Sequence, residues 1–150
     1  MIFCGYQGVG KSAYCKNKGH GCVDLESSNL IVSGTKPADW AEIYVNFAEH
    51  LNNDGYDVFL SAHLEVRKEL KKRGLEYTLI YPAIELKDDW ERKIILRYTR
   101  NQIEKNRNAM IRTILHYEED INGLELEDCK KIVITNFKYN LEELINGEKA

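Results

Sequence analysis

Apolar residues along the chain alternate between short unbroken runs and longer stretches with helical spacing. The short runs, which are typical of buried parallel strands, cover residues 1–4, 22–25, 58–60, 77–81 and 132–135. From Trp40 to Leu51, apolar positions recur at the spacing of an amphipathic helix, and Gly55 is placed to close it. Strands that alternate with helices predict a doubly wound parallel sheet, because parallel neighbours need crossover connections.

Glycine, proline and polar residues place the remaining elements. The helix that starts at residue 11 must be short, since Gly19 and Gly21 follow it. A loop is predicted over 31–36, with Thr35 as the N-cap of the next helix and Pro37 in its first turn. Further helices are predicted up to Gly74, over 87–118 with an interruption near 101–108, and over 141–145. An acidic connection is predicted over 118–128.

One stretch, Gly5-Tyr6-Gln7-Gly8-Val9-Gly10-Lys11-Ser12, fits the phosphate-binding pattern G-x-x-x-x-G-K-[ST] at every fixed position. Glycines let the backbone curl so that successive N–H groups point inward at an anion. We expect Lys11 to reach the β- and γ-phosphates, the Ser12 hydroxyl to hold Mg²⁺, and the following helix to present its positive end. The pattern predicts a nucleoside-triphosphate site. Its predicted nucleotide contacts are Gly5, Gln7, Gly8, Val9, Gly10, Lys11 and Ser12.

Two carboxylates follow the second predicted strand. Asp24 and Glu26 are two residues apart, so they face the same side, and ligands bind beyond the carboxyl ends of parallel strands. The strand over 58–60 ends in Ser61 and not in an acid. We therefore expect Asp24 to hold metal-bound water or take the acceptor's proton, and Glu26 to bind the acceptor. The alternative is a pair of solvated loop acids.

Cationic residues accumulate between Glu91 and Glu118, where carboxylates become sparse. They are Arg92, Lys93, Arg97, Arg100, Lys105, Arg107 and Arg112. Phosphoryl transfer develops negative charge that arginines of a closing lid can offset. The segment 97–108 is therefore predicted as a lid, with Arg97 and Arg100 as catalytic residues. The alternative is an ordinary solvated helix face.

With these motifs, the chain resembles the compact P-loop small-molecule kinases, a group that includes nucleoside monophosphate, shikimate and gluconate kinases. Asp24-Leu25-Glu26 resembles the D-x-D motif of shikimate-type kinases, with Glu26 in place of the second Asp. The stretch 58–70 resembles the gluconate-kinase strand and helix, which implies that Arg67 binds the acceptor. The stretch 90–97 resembles the helix that enters the lid, which implies Arg92 on adenine and Arg97 on the phosphates.

The resemblance implies a P-loop NTPase three-layer sandwich in a single domain over 1–150, with a five-stranded parallel sheet, helices on both faces and a short helical lid. It implies ATP and Mg²⁺ as cofactors and an ATP-dependent phosphotransferase with a small nucleotide or nucleoside-like acceptor. Glu26, His63 and Arg67 are the candidate acceptor-binding residues, although His63 is equally well explained as a loop histidine. Two alternatives stay open, a kinase for a DNA or RNA end or modified base, and a regulatory or assembly ATPase.

Sequence features disfavour two related functions. The chain lacks the Asp-Gly-Phe-Pro-Arg segment of adenylate kinases. Residues 135–138, Thr-Asn-Phe-Lys, do not form the N-K-x-D motif with which GTPases read their base. We therefore expect neither adenylate kinase nor GTPase activity.

Composition adds limits on location and partners. With 150 residues, 43% of them hydrophobic, the chain is long enough for one substantial core. Its net charge of −3 does not indicate nucleic-acid binding by the protein as a whole, although it is compatible with a local basic face that contacts nucleic acid. No apolar run reaches membrane-spanning length and the loop begins at residue 5, so we expect no membrane segment, no signal peptide and a cytoplasmic location.

The four cysteines, Cys4, Cys15, Cys22 and Cys129, form no CxxC pair, so reduced thiols are expected. A zinc site built from Cys15, His20 and Cys22 is less favoured, because the spacing matches no standard arrangement. The oligomeric state is left open by the sequence.

Overall fold

The chain folds into alternating strands and helices, which the computed structural model describes over residues 1–30 and 35–149. The strands in these ranges are β1 Ile2–Gly5, β2 Cys22–Asp24, β3 Asp57–Ser61, β4 Thr78–Pro82 and β5 Lys130–Ile134. The helices are α1 Lys11–Lys18, α2 Trp40–Asn53, α3 Leu64–Lys72, α4 Lys87–Arg100, α5 Glu104–Glu125 and α6 Leu141–Lys149. Among the described residues, no helix is both long and apolar enough to cross a membrane.

All five strands are parallel and lie in the order β2-β3-β1-β4-β5. The central strand β1 pairs with β3 on one side and β4 on the other, and all four of its residues are buried. This burial explains why the first apolar run is unbroken. The chain leaves β1 toward the β2 edge and leaves β4 toward the β5 edge. The carboxyl ends of β1 and β4 therefore flank the crevice in which open α/β sheets bind ligands.

Helices lie on both faces of the sheet, an arrangement compatible with a three-layer sandwich. On one face, Tyr14 of α1 packs against Phe59, which stacks on Phe3 with ring centroids 4.9 Å apart. Cys4 alternates with Phe3 and so faces the opposite side. The predicted α/β class, parallel sheet and five strands are confirmed.

Two predicted details are wrong. Helix α2 begins at Trp40 with Asp39 at its N-cap, so Thr35 is not the cap. The predicted acidic connection is mostly helix, because Tyr117, Ile121 and Leu124 fall on one buried face and continue α5 to Glu125. The predicted loop over 31–36 falls mainly on residues 31–34, outside the described residues.

Candidate functional site

The predicted phosphate loop connects β1 to α1 at the centre of the sheet. Gly8 and Gly10 have φ angles of 86° and 102°, a conformation that disfavours residues with a Cβ atom. A Cβ on Gly8 would also lie 2.7 Å from Ile94 Cδ1 and 3.2 Å from Trp90 Nε1. Gly8 is therefore required both by its own backbone and by the helix packed outside the loop. Gly10 forms the N-cap of α1.

Lys11 folds back over the start of the loop. A Cβ on Gly5 would lie 2.9 Å from both Lys11 Cδ and Val9 Cγ2, so only glycine leaves room for this lysine. The Lys11 ammonium donates a long hydrogen bond of 3.5 Å to the Gly5 carbonyl. Desolvation lowers the pKa of Lys11, while the carboxylates of Asp24 and Glu26 act in the opposite direction. The lysine is thus held at the loop by a weak bond that an anion can replace.

Ser12 and Asp24 provide oxygen ligands beside the loop. The Ser12 hydroxyl donates a 2.6 Å hydrogen bond to Asp24 Oδ2, while Asp24 Oδ1 is buried and has no hydrogen-bond partner among the described residues. A buried carboxylate oxygen without a partner is costly, and it is a hard ligand of the kind that Mg²⁺ prefers. The pair therefore fits Mg²⁺. Within 1–30 and 35–149, no three His, Cys, Asp or Glu side chains group as metal ligands, so water and phosphate oxygens would complete the coordination.

Glu26 connects the same edge of the sheet to the helical hairpin of α4 and α5. Its Oε1 atom lies 2.7 Å from the Lys105 ammonium, in the first turn of α5. This ion pair joins positions that are 79 residues apart in sequence. It places the hairpin tip beside the two carboxylates, a relationship that the sequence pattern did not predict.

The predicted lid, 97–108, is the tip of that hairpin and consists of the last turn of α4, residues 101–103 and the first turn of α5. Asn106 organises it, because its Oδ1 accepts from Arg97 Nε at 2.9 Å and its Nδ2 donates to the Asn101 carbonyl at 2.9 Å. Asn106 is only 4% exposed. The predicted interruption of the long helix is confirmed and is shorter than expected. Closure of the tip over a ligand stays a prediction.

The carboxyl ends of β2 and β3 are tied together by Tyr44. Its hydroxyl donates to the Leu25 carbonyl at 2.5 Å and accepts from the Ser61 N–H at 3.0 Å. Next to this link, the His63 ring meets the edge of Trp40, with centroids 5.8 Å apart. Desolvation, followed by the positive charge of Lys36, lowers the pKa of His63, so the imidazole is neutral at pH 7. His63 thus lies at the predicted edge of the sheet.

Other candidate residues are not directed toward the loop interior. Arg67 is buried, forms an ion pair with Glu127 and donates to the Ala62 carbonyl at 3.0 Å, so its guanidinium is paired within the fold. Arg92 pairs with Asp89 at 3.0 Å on the exposed face of α4. The Gln7 amide donates to Thr113 Oγ1 at 3.2 Å, so this side chain supports the loop from outside. Arg100 is exposed at the end of α4.

Sequence reasoning missed a cavity beside the start of α1. It has a volume of about 400 Å³, and its lining includes Gly10, Tyr14, Lys93, Phe137, Tyr139 and Leu141. Phe137 and Tyr139 directly follow the last strand, so their position at the carboxyl edge was readable from the sequence. Lys93 was noted only as part of the basic stretch. Tertiary packing brings Lys93, Phe137 and Tyr139 to the predicted phosphate loop.

Cys15 of α1 and Cys22 of β2 form a disulfide, with their Cα atoms 5.1 Å apart. The expectation of four reduced thiols is therefore wrong for this pair, because the short α1 and the turn through Gly19 and Gly21 bring the two sulfurs together. Cys4 and Cys129 are free. The bond uses both sulfurs that the less favoured zinc site would need.

Comparison with protein-family models gives no match to this chain, and comparison with curated proteins gives none either. Function is therefore inferred from the loop, the carboxylates beside it and the adjoining cavity. The kinase resemblance stays a prediction.

Proposed function

We propose that the protein is an ATP-dependent phosphotransferase that moves the γ-phosphoryl group to a small nucleotide or nucleoside-like acceptor. The observation that carries this proposal is the Ser12–Asp24 hydrogen bond beside a glycine loop with two positive φ angles. This arrangement supports the proposal because a glycine loop, a lysine and a partly unpaired carboxylate lie together at one edge of the sheet. These are the parts that nucleotide phosphate and Mg²⁺ require.

The donor nucleotide is placed by two neighbouring features. The N–H groups of the loop and of the α1 N-terminus bind its phosphates, and Lys11 adds the positive charge. The cavity lined by Tyr14, Phe137 and Tyr139 is large enough for a base and part of its sugar. Phe137, which is 42% exposed, offers a ring on which a base can stack.

The reacting groups lie at the carboxyl ends of β1 and β2. When bound, Mg²⁺ neutralises phosphate charge, and Ser12 and Asp24 are the residues that would hold it. Lys11 offsets the charge that develops on the transferred phosphoryl group. Asp24 or Glu26 orients the acceptor hydroxyl and takes its proton. The acceptor would therefore enter on the side of Glu26, Trp40 and His63.

Exclusion of water is the role we assign to the hairpin tip. A kinase must keep water from the γ-phosphoryl group, or ATP is simply hydrolysed. The Lys105–Glu26 ion pair already joins the tip to the edge of the sheet. Arg97 and Arg100, at the end of α4, would approach the phosphates when the tip closes.

Two observations favour alternative functions. The exposed cations of the hairpin, including Arg92, Arg100 and Arg107, favour a polynucleotide acceptor, because such side chains follow a phosphate backbone. The exposed apolar residues Leu96 and Leu115, 50% and 67% exposed, favour a docking partner and thus an assembly ATPase.

Phosphoryl transfer from labelled ATP distinguishes these functions. The protein is incubated with Mg²⁺ and either a nucleoside, a nucleoside monophosphate, a 5′-hydroxyl oligonucleotide or no acceptor, and products are identified by mass spectrometry. We expect transfer to a small nucleotide or nucleoside and no transfer by Lys11→Ala. Transfer to the oligonucleotide alone would favour the polynucleotide kinase. Hydrolysis that no acceptor stimulates would favour the ATPase, and absence of both binding and turnover would overturn the proposal.

A further inference from the structure

The phosphate loop is held from outside by two aromatic side chains that bind its carbonyl oxygens. The Trp90 indole N–H donates to the Gln7 carbonyl at 2.8 Å. The Tyr139 hydroxyl donates to the Val9 carbonyl at 2.7 Å and has a longer contact, 3.4 Å, with the Gly8 carbonyl. The two rings stack with centroids 6.0 Å apart. Trp90 of α4 and Tyr139 of the segment after β5 thus hold the loop through its Gln7 and Val9 carbonyls.

These contacts fix the direction of the N–H groups inside the loop. The peptide unit is planar, and in the trans form the C=O of one residue and the N–H of the next point in opposite directions. None of the described peptide bonds is cis. A Gln7 carbonyl bound on the outside therefore turns the Gly8 N–H inward, and a bound Val9 carbonyl turns the Gly10 N–H inward. Gly8 and Gly10 are the two loop glycines with positive φ.

Lys93 determines which way the Tyr139 hydroxyl points. Its ammonium lies within 3.0 Å of the Tyr139 oxygen and sits over the rings of Trp90 and Tyr139, at 4.4 and 5.0 Å from their centroids. Phe137 closes the cluster at 6.0 Å. An ammonium group can only donate, so the Tyr139 oxygen accepts from it and keeps its own proton for Val9. A charged Lys93 thus enforces the contact between Tyr139 and the loop.

We propose that Lys93 and Tyr139 are positioning residues that hold the Gly10 N–H toward the bound anion. The anion is the nucleotide phosphate, and this identity rests on the proposed function. The inward direction of the N–H does not depend on it. Neither residue needs to touch the nucleotide, since both act through the Val9 peptide group.

The arrangement depends on the charge of Lys93. Desolvation, followed by the positive charge of Arg97, lowers the pKa of Lys93 to about 8. Above that pH, the neutral amine accepts hydrogen bonds and competes with the Val9 carbonyl for the Tyr139 proton. Burial raises the pKa of Tyr139 to about 12, so this hydroxyl keeps its proton over the same range. The titratable and charged groups that line the two cavities beside Lys93 are Tyr14, Lys18, Asp89, Arg92, Arg97, Arg100, Tyr139 and Glu142.

The first test measures affinity. Isothermal titration with a non-hydrolysable ATP analogue and Mg²⁺ is run from pH 7 to 9.5 on wild type, Tyr139→Phe, Lys93→Met and the exposed control Lys138→Met. We expect Tyr139→Phe to bind the analogue about tenfold more weakly than wild type at pH 7, because the loss of one good hydrogen bond corresponds to a change of that size. Wild-type affinity should fall as the pH rises through about 8. Lys93→Met should bind the analogue weakly at pH 7, and its affinity should not fall further as the pH rises through about 8. Lys138→Met should match wild type in affinity and pH profile. Wild-type affinity and pH profile in the first two variants would overturn the proposal.

The second test needs no nucleotide. The ¹⁵N–¹H signals of Gly8 and Gly10 are followed by NMR from pH 7 to 9.5 in the unliganded protein. We expect the Gly10 signal to titrate with Lys93 in wild type, and to shift and stop titrating in Lys93→Met and Tyr139→Phe. The Gly8 signal, which depends on Trp90, should move less. A Gly10 signal that is identical in all variants would overturn the positioning role, whereas failure of wild type to bind nucleotide would overturn only the proposed function.

Discussion

The Ser12 hydroxyl donates a hydrogen bond of 2.6 Å to Asp24 Oδ2, which joins the first turn of α1 to the last residue of β2. The contact leaves Asp24 Oδ1 buried and without a partner among the described residues. The one carboxylate thus serves both as a tether for the loop helix and as a candidate metal ligand. A substitution that removes the charge of Asp24 should separate these two roles.

We expect Asp24→Asn to lower turnover by about 10²-fold or more while ATP affinity changes little, because the amide keeps the shape and loses the charge. Steady-state kinetics and titration calorimetry measure the two effects separately. Glu26→Gln is the matched comparison and should raise the acceptor KM more than it lowers turnover. Unchanged turnover in Asp24→Asn would leave Asp24 with only a structural role.

Lys11→Ala should abolish detectable nucleotide binding and leave the fold intact. The Lys11 ammonium makes only a 3.5 Å hydrogen bond to Gly5 among the described residues, so little native structure depends on it. Calorimetry with an ATP analogue and Mg²⁺ measures the binding, and circular dichroism checks the fold. Lys16→Ala, on the exposed side of the same helix, is the control and should bind as wild type does. Wild-type affinity in Lys11→Ala would remove the nucleotide site from this loop.

Asn106→Ala should destabilise the protein by about 2 kcal/mol, because it leaves the Asn101 carbonyl and the Arg97 guanidinium without their buried partner. Urea unfolding measures the loss, and the exposed Asn108→Ala should stay within about 0.5 kcal/mol of wild type.

Hydrogen exchange at 101–103 should slow when ATP and acceptor are both bound. Exchange that ligands leave unchanged would show a rigid tip, and the hairpin would then be better explained as a docking surface.

Glu127→Gln should cost about 3 kcal/mol of stability, because it leaves the buried Arg67 without its charged partner. Burial acts to raise the pKa of Glu127, but Lys71 and Arg67 outweigh it, so the pKa is lowered. The stabilisation is therefore complete above the ordinary glutamate pKa of 4.5 and is lost as the pH falls through the lowered value. Urea unfolding between pH 2 and 7 should show this loss in wild type and a flatter profile in Glu127→Gln.

Glu76→Gln, an exposed change near the start of β4, is the control for Glu127→Gln and should keep the wild-type profile. If Arg67 also binds the acceptor, Glu127→Gln would in addition alter the acceptor KM.

Reduction of the Cys15–Cys22 disulfide should lower stability by about 2.5 kcal/mol, the chain-entropy value for so short a closed loop. Melting curves with and without dithiothreitol measure the difference, and the double variant Cys15→Ser/Cys22→Ser should show none. Alkylation of the unfolded, unreduced protein should modify Cys4 and Cys129 and spare the pair. Alkylation of all four cysteines would contradict the disulfide.

The sequence by itself determined the strands and the glycine loop between the first strand and the first helix. Unbroken apolar runs such as Val58-Phe59-Leu60 belong to strands that are covered on both faces, because every side chain of such a strand must be apolar to be buried. The glycines of the Gly5–Ser12 stretch likewise limited where positive φ angles occur in the loop, because Gly8 and Gly10 tolerate them. Both signals are local, so neighbouring residues are enough to reveal them.

Only the tertiary structure decided which distant residues share the site. It paired Glu26 with Lys105 and buried Arg67 against Glu127. It also brought Tyr139, which Lys93 contacts, to the Val9 carbonyl of the loop. It also joined Cys15 to Cys22 across a turn whose geometry no cysteine spacing reveals. Such contacts depend on the order of the strands and on how the α4–α5 hairpin packs against the loop. A one-dimensional pattern carries the chemistry of each side chain but not the partner that the fold brings to it.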